Sequence, residues 1–233
     1  MKKLFTAQST VGEIVAIFPK ASDLFRAYKI DFCCGGSRSL SDVVTEKQLD
    51  IETILNKLQS MYEKSLEKVE KNWLEVSYKE LIDHIIQTHH QFLLEELPQL
   101  TPYVTKVARV HGPTQPHLIQ VHQLFHELKI ELEQHLMKEE KDVFPLIIQF
   151  ETSPTKENEQ IMKQAIEELT AEHERAGDII KRIREVTNDF TFPVDACGTY
   201  RLVYNRLEAL ENDLFTHIHL ENNILFSRIL HGK

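Results

Sequence analysis

Two stretches of this chain repeat one pattern. His135-Leu-Met-Lys-Glu139-Glu-Lys-Asp-Val-Phe144 and His217-Ile-His-Leu-Glu221-Asn-Asn-Ile-Leu-Phe226 both read H-x-x-x-E-x-x-x-x-F. In a helix, residues four apart share a face, one turn above the other. Each stretch therefore aims an imidazole and a carboxylate at one point. Two such helices facing each other would place two His and two Glu around one cavity. That donor set suits a metal site, and two metals better than one.

The surrounding pattern supplies the helices. Gly (7) and Pro (8) are scarce in 233 residues, which suits long helices with few turns. No segment alternates with the period of a strand. Ser77-x-x-Glu80 is a capping box that predicts a helix over Tyr78–Leu97, stopped by Pro98. Pro102–Gln115 then reads as a loop. Pro116 opens a second helix to about Phe150, Ser153-Pro154 a third to about Thr187, and a fourth spans about Val194–Leu230. Four long helices with short connections make an antiparallel four-helix bundle, an all-α fold.

The seams of that bundle carry the informative residues. The fourth helix presents Tyr200, Val203, Leu207, Leu210, Leu214, His217, Glu221 and Ile224 at steps of three and four. The second presents Val121, Phe125, Leu128, Leu132, His135, Glu139, Val143 and Leu146. The third presents Met162, Ile166, Leu169, His173, Ala176, Ile180 and Ile183. The first presents Ile82, Ile86, His90, Leu93 and Leu97. A buried carboxylate is costly unless paired or bound to a cation, and no Lys or Arg lies on these seams. A lone seam histidine is usually a satisfied core residue, and an isolated HxxxE is usually a solvated pair. Six such residues in register on four helices point instead to His90, His135, Glu139, His173, His217 and Glu221 as metal ligands.

His89 is the competitor of His90, but its seam (Ile85, His89, Phe92, Glu96) is less apolar. His122 and His126 are four apart and could hold a metal by themselves; like His84, His111, His117, His219 and His231, they lie off the seams and read as surface or loop residues. Glu131 and Glu172 flank the ligands, and solvated helix positions are the simpler account of both. Imidazole and carboxylate without thiolate suit iron, manganese or zinc, and this arrangement favours a di-iron carboxylate centre. Two Glu cancel half the charge of two divalent ions. A solvent-derived oxide or hydroxide bridge would cancel more, leaving open positions for O2 or NO.

The first 72 residues read as a separate small helical domain, with the bundle in 73–233. Thr10-x-x-Glu13 is a capping box, Pro19–Tyr28 carries a second short helix, and Asp50 can cap a third through about Leu66. Glu63–Lys71 is a charged helix face or linker. Cys33-Cys34-Gly35-Gly36 breaks the helical pattern. Three Cys (33, 34 and 197) are no disulfide framework, which suits a reducing cytoplasm. Met1-Lys2-Lys3 leads into no export signal, and no apolar run reaches the roughly 18 residues of a membrane span. A net charge of −9 argues against nucleic acid as a partner.

These residues carry a resemblance. The order H…HxxxE…H…HxxxE resembles the hemerythrin-like fold. Asp31-Phe32-Cys33-Cys34-Gly35-Gly36, with Lys138-Glu139-Glu140, Glu172-His173 and Leu220-Glu221-Asn222-Asn223, resembles the iron–sulfur cluster repair family (RIC, of the ScdA/YtfE type) over nearly the whole chain. The resemblance implies a non-haem di-iron protein that restores clusters damaged by oxidative or nitrosative stress, with damaged iron–sulfur proteins as clients. It implies the same six ligands, with Glu139 and Glu221 bridging, and it supports His90 over His89. It implies four histidine ligands rather than the five of oxygen-carrying hemerythrins, hence a more open centre suited to iron donation; NO reduction or O2/NO sensing are the alternatives. Cys33 and Cys34 match the family's pair, as an iron relay or redox couple on one account and a structural turn on the other. Cys197 reads as a packing residue, and a homodimer is expected by analogy.

Overall fold

The computed structural model describes residues 4–65 and 72–231. The fold is all-α; among the described residues the only strand-like pairing is one isolated bridge between Thr10 and Ser39. No helix of the described residues is long and apolar enough to cross a membrane. The chain divides into two units, residues 78–215 and residues 1–77 with 216–233.

The first of these units is the helical bundle. Helices α5 (Tyr78–Ile85) and α6 (Gln91–His111) form one rod, joined by a π-helical turn, Ile86–His90. Helices α7 (His117–Lys138) and α8 (Phe144–Thr152) form another, joined by the π-helical turn Glu139–Val143. Helix α9 (Lys156–Val186) is the third rod and is capped by Thr155, whose hydroxyl accepts the Asn158 amide. Helix α10 (Gly198–His219) is the fourth. Its seam residues Tyr200, Val203, Leu207, Leu210 and Leu214 are buried as their spacing predicts. Arg184 of α9 grips Glu211 of α10 with two nitrogens, and Arg206 of α10 grips Glu96 of α6 in the same forked way.

Three expectations need correction here. Pro98 does not stop the first rod: α6 runs through both Pro98 and Pro102 to His111, where a loop was expected. Each proline removes an amide donor and costs roughly 3 kcal/mol in a helix interior. Leu93, Leu97, Leu100, Val104 and Val107 nevertheless stay buried across both, at roughly 1.5–3 kcal/mol each, so packing outweighs the breakers. The seams also slip at the π turns, which each insert one residue. Ile85 is buried instead of Ile86, and Ile147 instead of Leu146. Cys197 is exposed just ahead of α10, 3.3 Å from His111 Nε2, and is not a packing residue.

The other unit holds α1 (Val11–Ile17), α2 (Ala21–Ala27), α3 (Leu40–Glu46) and α4 (Ile51–Ser65), with the π-helical segment Leu220–Phe226 and α11 (Ser227–His231). The Thr10/Glu13 capping box is present at α1, and Asp50 accepts the Thr53 amide at α4. Residues 66–71 of the charged stretch and the Met1-Lys2-Lys3 start lie outside the described residues. Phe5, Phe18 and Tyr62 make a cluster of ring contacts.

Within this unit the Cys-Cys-Gly-Gly turn closes on the C-terminal segment. Asn223 donates its amide to the carbonyls of Phe32 (3.2 Å) and Cys33 (2.9 Å). Gly12 donates its amide to Gly36 O at 2.8 Å, so both glycines lie against Asn223. A Cβ on either would collide with that side-chain amide. His219, expected at the surface, is buried against Phe32 and donates from Nδ1 to Phe32 O. Burial pushes its pKa down to about 4, so its imidazole is neutral.

Replacing Gly36 by Ala forces Asn223 from its two carbonyls. The expected loss of stability is about 1–3 kcal/mol, measured by urea unfolding. An unchanged midpoint would show that the turn does not need the close approach.

Candidate metal centre

The π turn Glu139–Val143 places a fully buried carboxylate in the bundle interior. Glu139 Oε2 stands 3.3 Å from His90 Nε2 and 3.3 Å from His135 Nε2. Glu139 Oε1 stands 3.9 Å from His173 Nε2, and the Nε2 atoms of His135 and His173 are 2.9 Å apart. His90 closes the π turn Ile86–His90, while His135 and His173 sit on regular helix. All four residues are buried.

The far nitrogens of two of these rings are turned outward. His90 Nδ1 meets Glu140 Oε1 at 2.8 Å, and His135 Nδ1 meets Glu172 Oε2 at 2.8 Å. A carboxylate accepts only, so both Nδ1 atoms carry the proton. Both Nε2 atoms point at the Glu139 carboxylate, and in the neutral ring each carries the lone pair. Acceptors facing acceptors in a buried space call for a proton or a cation. Ligands held at right angles by one ion at about 2.0–2.2 Å stand roughly 3 Å apart, close to the spacing here. The residues therefore fit a metal cation, and their nitrogen and oxygen donors suit iron, manganese or zinc.

In the other unit, His217 Nε2 lies 3.0 Å from Glu221 Oε1, and both residues are buried. Glu221 belongs to the π segment Leu220–Phe226. Among the described residues, all three π-helical segments thus carry one of the six candidate ligands. Periodicity of 3.6 residues cannot reveal them, because each costs one extra residue in a helix that otherwise reads as regular.

His89 lies elsewhere: it is buried and bonded through Nδ1 to Asp213 at 2.8 Å. The rings of His122 and His126 are 4.4 Å apart, and among the described residues no third ligand joins them. Glu172 is not a solvated helix residue: it joins His135 to Lys138. The His135 hydrogen bond, aided by Lys138, holds its carboxyl down to about 2. Glu140 was missed altogether, although its place beside Glu139 was the available signal. Asp31 Oδ1 accepts from the amides of Cys33 and Gly35 and from the Cys33 thiol, and the two thiols are 3.9 Å apart. Cys33 is buried, and its bond to Cys34 together with burial raises its pKa.

The convergence of acceptors on Glu139 has a testable consequence. Glu139→Gln supplies an amide donor to those lone pairs and removes a buried charge. Metal-free Glu139→Gln is expected to be more stable than the metal-free parent by about 1–3 kcal/mol in urea unfolding. A less stable variant would show that the Glu139 carboxylate is paired with protonated imidazole when no cation is bound.

Comparison with known proteins places this geometry. Residues 81–229 match the hemerythrin HHE cation binding domain, and residues 7–62 match a domain of unknown function, DUF542. The chain is 36% identical over 228 residues to the iron–sulfur cluster repair protein ScdA of Staphylococcus epidermidis, covering 97% of this chain and all of that protein. It is 39% identical over 226 residues to the iron–sulfur cluster repair protein YtfE of Escherichia coli O8, covering 96% and 97% of the two. A probable iron–sulfur cluster repair protein of Haemophilus influenzae is 37% identical over 227 residues, with 97% and 99% covered. End-to-end likeness of this degree, over a chain whose interior is built to hold a cation, means that the protein belongs to the ScdA and YtfE family of iron–sulfur cluster repair proteins.

Proposed function

We propose that this protein repairs damaged iron–sulfur clusters in client proteins by giving up iron from a two-iron centre. His90, His135, His173 and His217 would hold the two ions, with Glu139 and Glu221 bridging and a solvent-derived bridge balancing charge. The observation that carries the proposal is the burial of three imidazoles within 3.9 Å of the buried Glu139 carboxylate, a donor set that fits a cation. Its family supports iron as that cation.

When bound, such a centre supplies exchangeable iron and open positions for small ligands such as NO. The chain's own residues do the rest. Glu140 and Glu172 fix the tautomers of His90 and His135, so each ring presents Nε2 inward. Seam residues such as Leu93, Leu132 and Leu169 are buried and keep water scarce around the ligands. Four histidines and two carboxylates cannot fill two six-coordinate ions, and that incompleteness favours release over permanent storage. Cys33 and Cys34 would serve the same repair as iron relay or redox couple; half-buried Cys34 is the thiol that a client can reach. We place this work in the cytoplasm, where its cysteines stay reduced.

Elemental analysis of protein purified without added metal should give about two irons per chain. Glu139→Ala or Glu221→Ala should lower iron content and reduce transfer to an apo iron–sulfur protein on the order of tenfold or more. His90→Ala should lose iron, and His89→Ala should keep it. Full iron content and transfer in both glutamate variants would overturn the ligand assignment. Catalytic conversion of NO to N2O with no iron transfer would overturn donation as the activity.

A further inference from the structure

The surroundings of Glu139 treat His90 and His135 alike on the inside and differently on the outside. Both rings place Nε2 3.3 Å from Glu139 Oε2, and both give Nδ1–H to a carboxylate at 2.8 Å. Behind His90 that carboxylate is Glu140, which is partly exposed; among the described residues no Lys or Arg reaches it. Behind His135 it is Glu172, whose other oxygen accepts from Lys138 Nζ at 2.9 Å. Lys138 also donates to Glu168 at 3.1 Å.

A carboxylate hydrogen-bonded to a ligand imidazole raises that ring's donor strength. An ammonium on the same carboxylate draws part of its charge away. It also adds a positive charge, two hydrogen bonds removed from any ion on Nε2. The ring backed by Glu140 is therefore the stronger donor, and the ring backed by Glu172 and Lys138 the weaker. With the same kinds of inner ligand proposed for both ions, the outer charges decide which ion leaves first.

We propose that the two metal positions are unequal, that the one on His135 and His173 is the exchangeable position, and that Lys138 sets its release rate. This rests on the two-iron reading above. Lys138 touches no ligand directly; it is a positioning residue that acts through Glu172. Its place on the outer face of α7, partly exposed, puts the weaker site under the influence of any client that engages Lys138 or Glu168.

The test is iron release from the reduced, iron-loaded full chain into a coloured ferrous chelator, followed in time without oxygen. The parent should release iron in two steps of one equivalent each, with rates that differ about tenfold or more. Lys138→Met should slow the fast step several-fold and leave the slow one in place, and Lys138→Arg should restore parent behaviour. Glu140→Gln should speed the slow step until the two merge. A merely structural role for Lys138 gives the opposite sign, because loosening Glu172 would speed release. One-step release in the parent, or a fast step unchanged or quickened in Lys138→Met, would overturn the proposal. A parent that binds fewer than two irons would instead overturn the two-iron reading.

Discussion

Everything in the bundle turns on a carboxylate that has no business in an apolar interior. Glu139 is completely buried, and the groups nearest to it are three imidazoles. Two of those imidazoles give their Nδ1 protons to outer carboxylates, which turns Nε2 toward Glu139. A carboxylate and imidazoles taken out of water at this spacing are costly to hold unless a proton or a cation joins them. The helices must therefore be packed firmly enough to keep them together. Long aliphatic seams on α6, α7, α9 and α10, and forked arginine bridges from α10 to α6 and α9, provide that firmness. Stability here is generated by the seams and spent on the site.

The backbone shows where the spending occurs. The π turns at Ile86–His90, Glu139–Val143 and Leu220–Phe226 sacrifice regular helical hydrogen bonding at His90, Glu139 and Glu221. Each inserts a residue and rotates the helix beyond it, so a ligand and its flanking apolar residues face inward together. Phe144 illustrates the result: it follows the second π turn and stacks on the His90 ring with centroids 5.6 Å apart. The same tolerance of imperfect helix is visible in α6, where two prolines are carried by buried leucines and valines.

The unit formed by residues 1–77 and 216–233 applies a second constraint to the same kind of segment. Asn223 lies two residues beyond Glu221, and its side chain is clamped to the Phe32 and Cys33 carbonyls. The Cys-Cys-Gly-Gly turn is thus held by the π-helical segment that bears a candidate ligand. The glycines are required by proximity: a Cβ on Gly12 or Gly36 would occupy the space that the Asn223 side chain fills. A thiol pair, its Asp31 acceptor and a buried carboxylate lie in one folded unit, joined by that amide and by the buried His219.

Periodicity in the sequence was enough to determine the helical class, the four rods, and the seam residues of α9 and α10, because burial of apolar side chains at 3.6-residue spacing is local information. It also singled out the six candidate ligands, because charged and imidazole groups on an otherwise apolar seam stand out against it. Tertiary structure alone decided the rest. Pro98 and Pro102 read locally as breakers, and only packing against neighbouring helices keeps α6 intact. The π turns leave no mark in composition, so Ile86 and Leu146 were assigned to seams that Ile85 and Ile147 occupy. Glu140, Glu172 and Lys138 look like ordinary solvated helix residues, and only the approach of a second helix turns two of them into partners of buried histidines and the third into the cation behind one of them. Those are pairings between residues 34 to 50 positions apart in the chain, and helical periodicity carries no information at that range.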